Sequence, residues 1–221
     1  MENTQILNTD SLIFDMDGTL WDAVETYANG YNEYFKANAS NRFFTKDDLA
    51  RYMGLEQSVY LQATMPEFEA EDRERVYKEV IEFQYQLIAE VGGDLYPGVR
   101  EGLEALSKHY NLFIVSNCPE FTIMHFMKWA KIEDYITDTM AHGVNFKPKF
   151  ENIRYLIEKH QLRSPCYVGD TASDALQSSK VPLPFVFVNY GFGTIPHPEL
   201  SFSSFAQLTE YFTKLKSSRP C

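Results

Sequence analysis

Two aspartates one residue apart, Asp15 and Asp17, close the apolar run of "LIFDMDGTLWD" (12–22), and Gly18 and Thr19 follow them. Carboxylates at the carboxyl end of a buried parallel strand face the crevice where such sheets bind ligands. Three more stretches deliver polar groups in the same way: "NLFIVSN" brings Ser116 and Asn117, the loop of "FKPKF" brings Lys147 and Lys149, and "VGDTASD" brings Asp170 and Asp174. Clustered carboxylates raise one another's pKa unless cations stand among them, so the set calls for a lysine and a divalent metal. Oxygen donors without histidine or thiolate select Mg²⁺. That combination suits phosphoryl transfer, in which a nucleophile is held in line and the charge on the phosphoryl oxygens is neutralised. Asp15 is then the nucleophile, and Asp17 is the acid that protonates the leaving oxygen and afterwards the base that activates water. Ser116 is expected to hold the phosphoryl group, and one of the two lysines to pair with it and with Asp15. Asp170 is expected to hold the metal, with Asp174 sharing it or orienting Asp170 and the lysine. Gly18, Thr19, Asn117 and Trp21 are the candidate substrate contacts. Gly18 lets the chain turn and frees the following amides for phosphate oxygens, and Trp21 is the aromatic expected to face the substrate.

Positioning these residues requires elements of two kinds. Short apolar runs at 11–15, 111–117, 166–170 and 184–190 read as strands, too short for helices. Segments 97–109, 120–132 and 150–162 carry apolar residues at helical spacing and fall between the later strands. Alternation of this kind predicts an α/β fold, a doubly wound parallel sheet of Rossmann-like type with helices on both faces. The interval from 20 to 92 contains no convincing strand and reads as three or four helices, notably 23–38, 45–53 and 69–91. The expectation is an inserted all-helical cap at 21–92 on a catalytic core formed by 1–20 and 93–221, with "GGDLYPG" (92–98) as the returning hinge. Aromatics of the cap, among them Tyr27, Tyr31, Tyr34 and Phe35, lie at helical spacing and read mainly as core.

The motifs "DMDGTLWD", "IVSN", "FKPKFENI" and "VGDTASD" resemble, in their order and spacing, those of the haloacid dehalogenase superfamily, in particular its phosphatases with a helical cap between the first and second motifs. The resemblance runs from about residue 10 to 215. It implies a phosphatase, phosphoglycolate phosphatase-like, that hydrolyses a small phosphate monoester through an aspartyl phosphate on Asp15. It also implies Mg²⁺ held by Asp15, Asp170, Asp174 and the backbone carbonyl of Asp17. In the third motif Lys147 matches a "KP" form and Lys149 a "KxENI" form; Lys149 is preferred and Lys147 stands as the alternative. Dehalogenases resemble this chain but lack an equivalent of Asp17, and phosphonatases usually carry alanine there. A sugar-phosphate mutase keeps all the motifs and remains open. A receiver-type phospho-acceptor domain is the rival from another class, although it needs no large helical insertion.

Taken singly, each of these residues has a plainer reading, an aspartate as a cap or turn and a lysine as a solvated charge; their convergence favours a site. His125 and His142 have no partner at ligand spacing, and "VNYGFG" (188–193) reads equally as a turn or as a contact to cap or substrate. The 221 residues carry 44% hydrophobic side chains and a formal charge of −11. That charge disfavours nucleic acid and anionic membrane surfaces and favours a small phosphorylated metabolite as partner, bound by a monomer or a homodimer. Cys118, Cys166 and Cys221 are expected to be free thiols in a reducing, cytoplasmic setting. No window is long and apolar enough for a membrane span, and the first residues lack a secretory signal pattern.

Overall fold

The computed structural model describes residues 4–217. Eight strands are present among them: β1 (Ser11–Phe14), β2 (Trp21–Asp22), β3 (Asp94–Leu95), β4 (Asn111–Ser116), β5 (Asp138–Ala141), β6 (Pro165–Gly169), β7 (Phe185–Val188) and β8 (Ser201–Phe202). Six of these form one sheet in the order β5-β4-β1-β6-β7-β8, every pair parallel. β1 lies in the middle, bonded to β4 through Leu12↔Leu112 and to β6 through Leu12↔Cys166. The helices are α1 (Thr4–Leu7), α2 (Val24–Ala37), α3 (Lys46–Ala50), α4 (Gln57–Thr64), α5 (Ala70–Glu90), α6 (Val99–Ser107), α7 (Thr122–Ala130), α8 (His142–Asn145), α9 (Lys149–His160), α10 (Ala172–Ser179) and α11 (Phe205–Ser217).

The central strands are buried on both faces, which is why they read as unbroken apolar runs. Alternation along each strand sends side chains to two cores. Leu12, Phe14, Leu112, Ile114, Cys166 and Val168 join the larger one, which continues into α6, α7, α11 and the cap. Ile13, Phe113, Val115 and Tyr167 join the smaller one, closed by Ile153 and Leu156 of α9. Losing the Phe14 ring from this setting would cost about 3–5 kcal/mol.

Helices α2 to α5 stand between β1 and the second strand of the sheet in chain order, as the alternation predicts. The cap is held by packing of α2 on α5, whose axes come close at Gly30: a Cβ there would lie 2.4 Å from Gln84 Cγ. In its centre the Tyr31 ring stacks on Tyr77 and packs at a tilt against Phe44. Three features depart from the sequence expectation. The edge strands β5 and β8 have no long apolar run to announce them, and β5 is only half-buried along most of its length. The interval expected to lack strands begins with β2, which pairs antiparallel with β3 inside the anticipated hinge through Trp21↔Leu95. Two-residue strands carry no periodicity, and this ribbon exists only because the two connections between core and cap run side by side. Cys118 and Cys166 are buried free thiols, whereas Cys221 lies outside the described residues. Among the described residues no helix is long and apolar enough to cross a membrane.

Candidate active site

The carboxyl ends of β1, β4 and β6 and the start of α9 converge on one buried cluster. Lys149, the first residue of α9, is fully enclosed, and its ammonium donates to Asp15 Oδ1 at 2.9 Å and to Asp174 Oδ1 at 2.7 Å. Asp174 is fixed in turn by the start of α10. Thr171 is the N-cap: its hydroxyl accepts from Asp174 N (3.1 Å), while Asp174 Oδ2 accepts from Thr171 N (3.0 Å) and from the Thr171 hydroxyl (2.6 Å). A capping box therefore also orients the partner of the lysine. Asp170, at the end of β6, accepts from the Thr19 hydroxyl (3.3 Å) and from Phe192 N (2.7 Å). Gly18, at φ +85°, makes room for this: a Cβ there would meet Asp170 Oδ2 at 2.2 Å.

Asp17 points a different way. Its Oδ1 accepts from the hydroxyl of Tyr27 in α2 (2.8 Å) and from Trp21 Nε1 (3.0 Å). Burial, with the charge of Asp15 added, pushes the Asp17 carboxyl up to about 7, and the two hydrogen bonds restrain the rise. Asp15 is likewise raised to about 7 by burial, against the pull of Lys149 and with the repulsion of Asp174 and Asp170. Asp170 also reaches about 7, through burial and then Asp174. Burial draws the Lys149 ammonium down, but Asp15 and Asp174 outweigh it and hold its pKa well above the ordinary value.

Carboxylate oxygens of Asp15, Asp170 and Asp174 lie within 4.8 Å of one another, all buried. An all-oxygen set with more negative charge than Lys149 offsets fits a hard divalent cation. The donors are not equivalent. Both oxygens of Asp174 are engaged by Lys149 and Thr171, while Asp15 spends one oxygen on Lys149. Asp170 likewise has both oxygens engaged, Oδ1 by the Thr19 hydroxyl and Oδ2 by Phe192 N, but these partners are neutral, whereas Asp174 also anchors the Lys149 ammonium.

A cavity of about 60 Å³ opens over the cluster, lined on the core side by Asp15, Asp17, Ser116, Asn117 and Lys149. Its far wall is the cap, including Tyr52, Met53, Gly54 and Leu55 in the loop between α3 and α4. Asn117 Nδ2 donates to Gly54 O at 3.1 Å, tying that loop to the end of β4.

The family model of the haloacid dehalogenase-like hydrolases matches residues 12–188, from β1 to the end of β7. The chain belongs to this family. A phosphorylated carbohydrates phosphatase from Thermotoga maritima is 30% identical over 155 residues, 68% of this chain and 70% of that one. A phosphoglycolate phosphatase from Agrobacterium fabrum is 29% identical over 224 residues, 93% of each chain. A crystal structure of a predicted phosphoglycolate phosphatase from Haemophilus somnus shares the fold, with a TM-score of 0.79 at 24% identity, covering 92% of this chain and 97% of that one. The protein is an enzyme of the phosphatase branch of its family, with the helical cap inserted after the first motif.

Within the haloacid dehalogenase-like site, Asp15, Asp17, Ser116, Asn117 and Lys149 share the cavity, and Asp170 and Asp174 lie behind it. Lys147 is elsewhere: its side chain is exposed and its ammonium lies 3.6 Å from Glu151. It precedes α9, whose first turn carries Lys149 inward and leaves Lys147 in solvent. Trp21 is also misread by the sequence expectation, because its ring is wholly enclosed against Phe126 and Trp129 and does not line the cavity. Nor are the amides of Gly18 and Thr19 free for phosphate, since they donate to Trp21 O (2.8 Å) and Met16 O (3.3 Å) within the turn itself. Thr19 acts on Asp170 instead. Sequence reasoning missed Tyr27 as a partner of Asp17, because helical spacing shows that an aromatic is buried but not that it reaches another element. It also left open the "VNYGFG" stretch, which the structure wraps around Asp170 through Phe192 N and Gly191.

Proposed function

We propose that the protein hydrolyses a small phosphate monoester, with Asp15 as nucleophile, Asp17 as acid and base, and Mg²⁺ as cofactor. The observation that carries this reading is the buried Lys149 ammonium shared between Asp15 and Asp174 beside a cavity that Asp17 also faces. An oxygen of Asp15 attacks phosphorus, and the bond from phosphorus to the leaving oxygen breaks. Asp17, carrying a proton, transfers it to that oxygen, so that the product departs as a neutral alcohol. The aspartyl phosphate left on Asp15 is then attacked by water, whose proton Asp17 takes back, releasing inorganic phosphate and the free carboxylate. A pKa of about 7 lets Asp17 serve in both directions near neutrality. Lys149 and the Ser116 hydroxyl hold phosphoryl oxygens, and a bound Mg²⁺ would neutralise charge on them in the transition state. The cap, taken as residues 21–92, covers the reaction and limits access of water.

Release of inorganic phosphate from an aryl phosphate, followed with and without Mg²⁺, tests the reading. Many turnovers per chain in the presence of Mg²⁺, abolished by Asp15→Asn, are expected. A single stoichiometric phosphorylation would mark a phospho-acceptor domain, and isomerisation of a sugar phosphate without net release would mark a mutase; either overturns the proposal.

A further inference from the structure

The leaving group must fit the part of the cavity that the cap encloses, and that part is complete in this structure. The loop carrying Gly54 touches the core at two places: through Asn117, and at Thr171, where a Cβ on Gly54 would lie 3.5 Å from Cγ2. Beyond the phosphoryl position the wall presents Tyr52, Met53, Leu55, Gln57, Tyr60 and Tyr77. Among the described residues, Lys149 is the one cation in the lining, and its ammonium is bonded to Asp15 and Asp174.

None of the cap's described basic residues lines the cavity, and several are engaged elsewhere. Arg42 pairs with Glu67 and donates to Thr64 O. Lys46 pairs with Asp22, Arg51 donates to Asp47 O, and Arg75 pairs with Asp72. The charged groups of the lining, Asp15, Asp17 and Lys149, thus all belong to the core side of the cavity, and the cap side offers none. A carboxylate on the leaving group would give up its water to meet tyrosine rings, a thioether, a leucine and a neutral amide, with no cation to replace the lost solvation. A hydroxylated carbon skeleton faces no such penalty. Its C–H faces match aromatic walls, and the tyrosines that line the cavity, Tyr52 and Tyr77 among them, carry hydroxyls able to pair with its own.

We infer that the leaving group is an uncharged, hydroxyl-bearing alcohol rather than a hydroxy acid. The inference rests on the phosphatase reading above and narrows it: of the two kinds of substrate in the names of the relatives, it favours the phosphorylated carbohydrate over phosphoglycolate.

The test uses two pairs of monoesters that differ only in a carboxylate replaced by CH₂OH. The first pair is 2-phosphoglycolate with 2-hydroxyethyl phosphate, and the second is 3-phosphoglycerate with glycerol 3-phosphate. kcat/KM is measured for all four with the full chain and Mg²⁺, alongside an aryl phosphate. The uncharged member of each pair is expected to be favoured by about tenfold or more. Leu55→Arg, at an exposed position of the cap loop, is expected to narrow that gap by raising the carboxylate member. A carboxylate member equal to or better than its partner, or a gap that Leu55→Arg leaves unchanged, overturns the inference while hydrolysis of the aryl phosphate keeps the phosphatase reading intact. Failure to hydrolyse any monoester, the aryl phosphate included, overturns both.

Discussion

The two lysines of "FKPKF" show how far a side chain's burial decides its chemistry. Lys149 is enclosed and doubly ion-paired, whereas Lys147 is solvated beside Glu151. Lys149→Ala is expected to lower kcat/KM by about a hundredfold or more, since it removes a positive charge from developing phosphoryl charge in a dry site. It should also destabilise the chain by leaving Asp15 and Asp174 uncompensated. Lys147→Ala should stay within about twofold of the parent, because exposed pairs contribute little. Steady-state kinetics of both variants checks the assignment. Tyr27 supplies a second test at this scale. Its hydroxyl stabilises the ionised form of Asp17 and so holds down a pKa that burial raises. Tyr27→Phe removes that restraint, the Asp17 pKa rises, and the alkaline limb of kcat/KM, where the acid loses its proton, moves up by about one unit. A role limited to packing would lower the rate without moving the limb. The carboxylates, Ser116 and Lys149 were legible in the sequence because each stands at the end of a strand or the start of a helix, where direction follows from topology. Tyr27 and Trp21 were not, because what they touch depends on how the cap lies on the core.

At the scale of elements, α10 joins local capping to the site. The Thr171 capping box orders the first turn of this helix and fixes the carboxylate of Asp174 on which Lys149 rests. Thr171→Ala is expected to cost about 1 kcal/mol of stability as a lost cap. It should also lower kcat by more than that loss of folded protein explains, because Asp174 becomes free to rotate away from Lys149. Thr171→Ser, which retains the hydroxyl, should recover both, and denaturant melts read beside kcat under saturating substrate separate the two effects. The same scale explains which elements could be read from the chain. The continuous apolar runs of β1, β4 and β6 and the β7 run fill the middle of a parallel sheet and could hardly be anything else. Edge strands β5 and β8 have fewer neighbours to bury against, and their composition shows it. The β2–β3 ribbon depends on pairing between distant residues, which local sequence does not encode.

For the whole molecule, the unusual feature is a concentration of carboxylates inside a chain that is already acidic. Asp15, Asp17 and Asp170 all stand at about 7 in the folded state, with burial the leading cause in each, against an ordinary value of 3.8. Each folded pKa is raised, so the folded chain binds more protons than the unfolded one across the window between about 4 and 7. Their contribution to stability is fully present below the unfolded pKa and is lost as pH rises through about 7. In the absence of divalent metal the protein should therefore become less stable between pH 5 and pH 8, by on the order of a few kcal/mol, equivalent to several degrees in Tm. His125, held below its ordinary pKa mainly by burial, runs the other way, but it is one partly buried ring against three carboxylates. Magnesium held as proposed above would reverse the trend selectively: binding to the ionised carboxylates would add stability that grows with its concentration above Kd, so the gain should be large at pH 8 and small at pH 5. Thermal melts in EDTA and in millimolar MgCl₂ at the two pH values measure this directly. A metal-free Tm that increases from pH 5 to 8, or a magnesium gain that is no larger at pH 8, would show that the buried cluster is not the charge store described here.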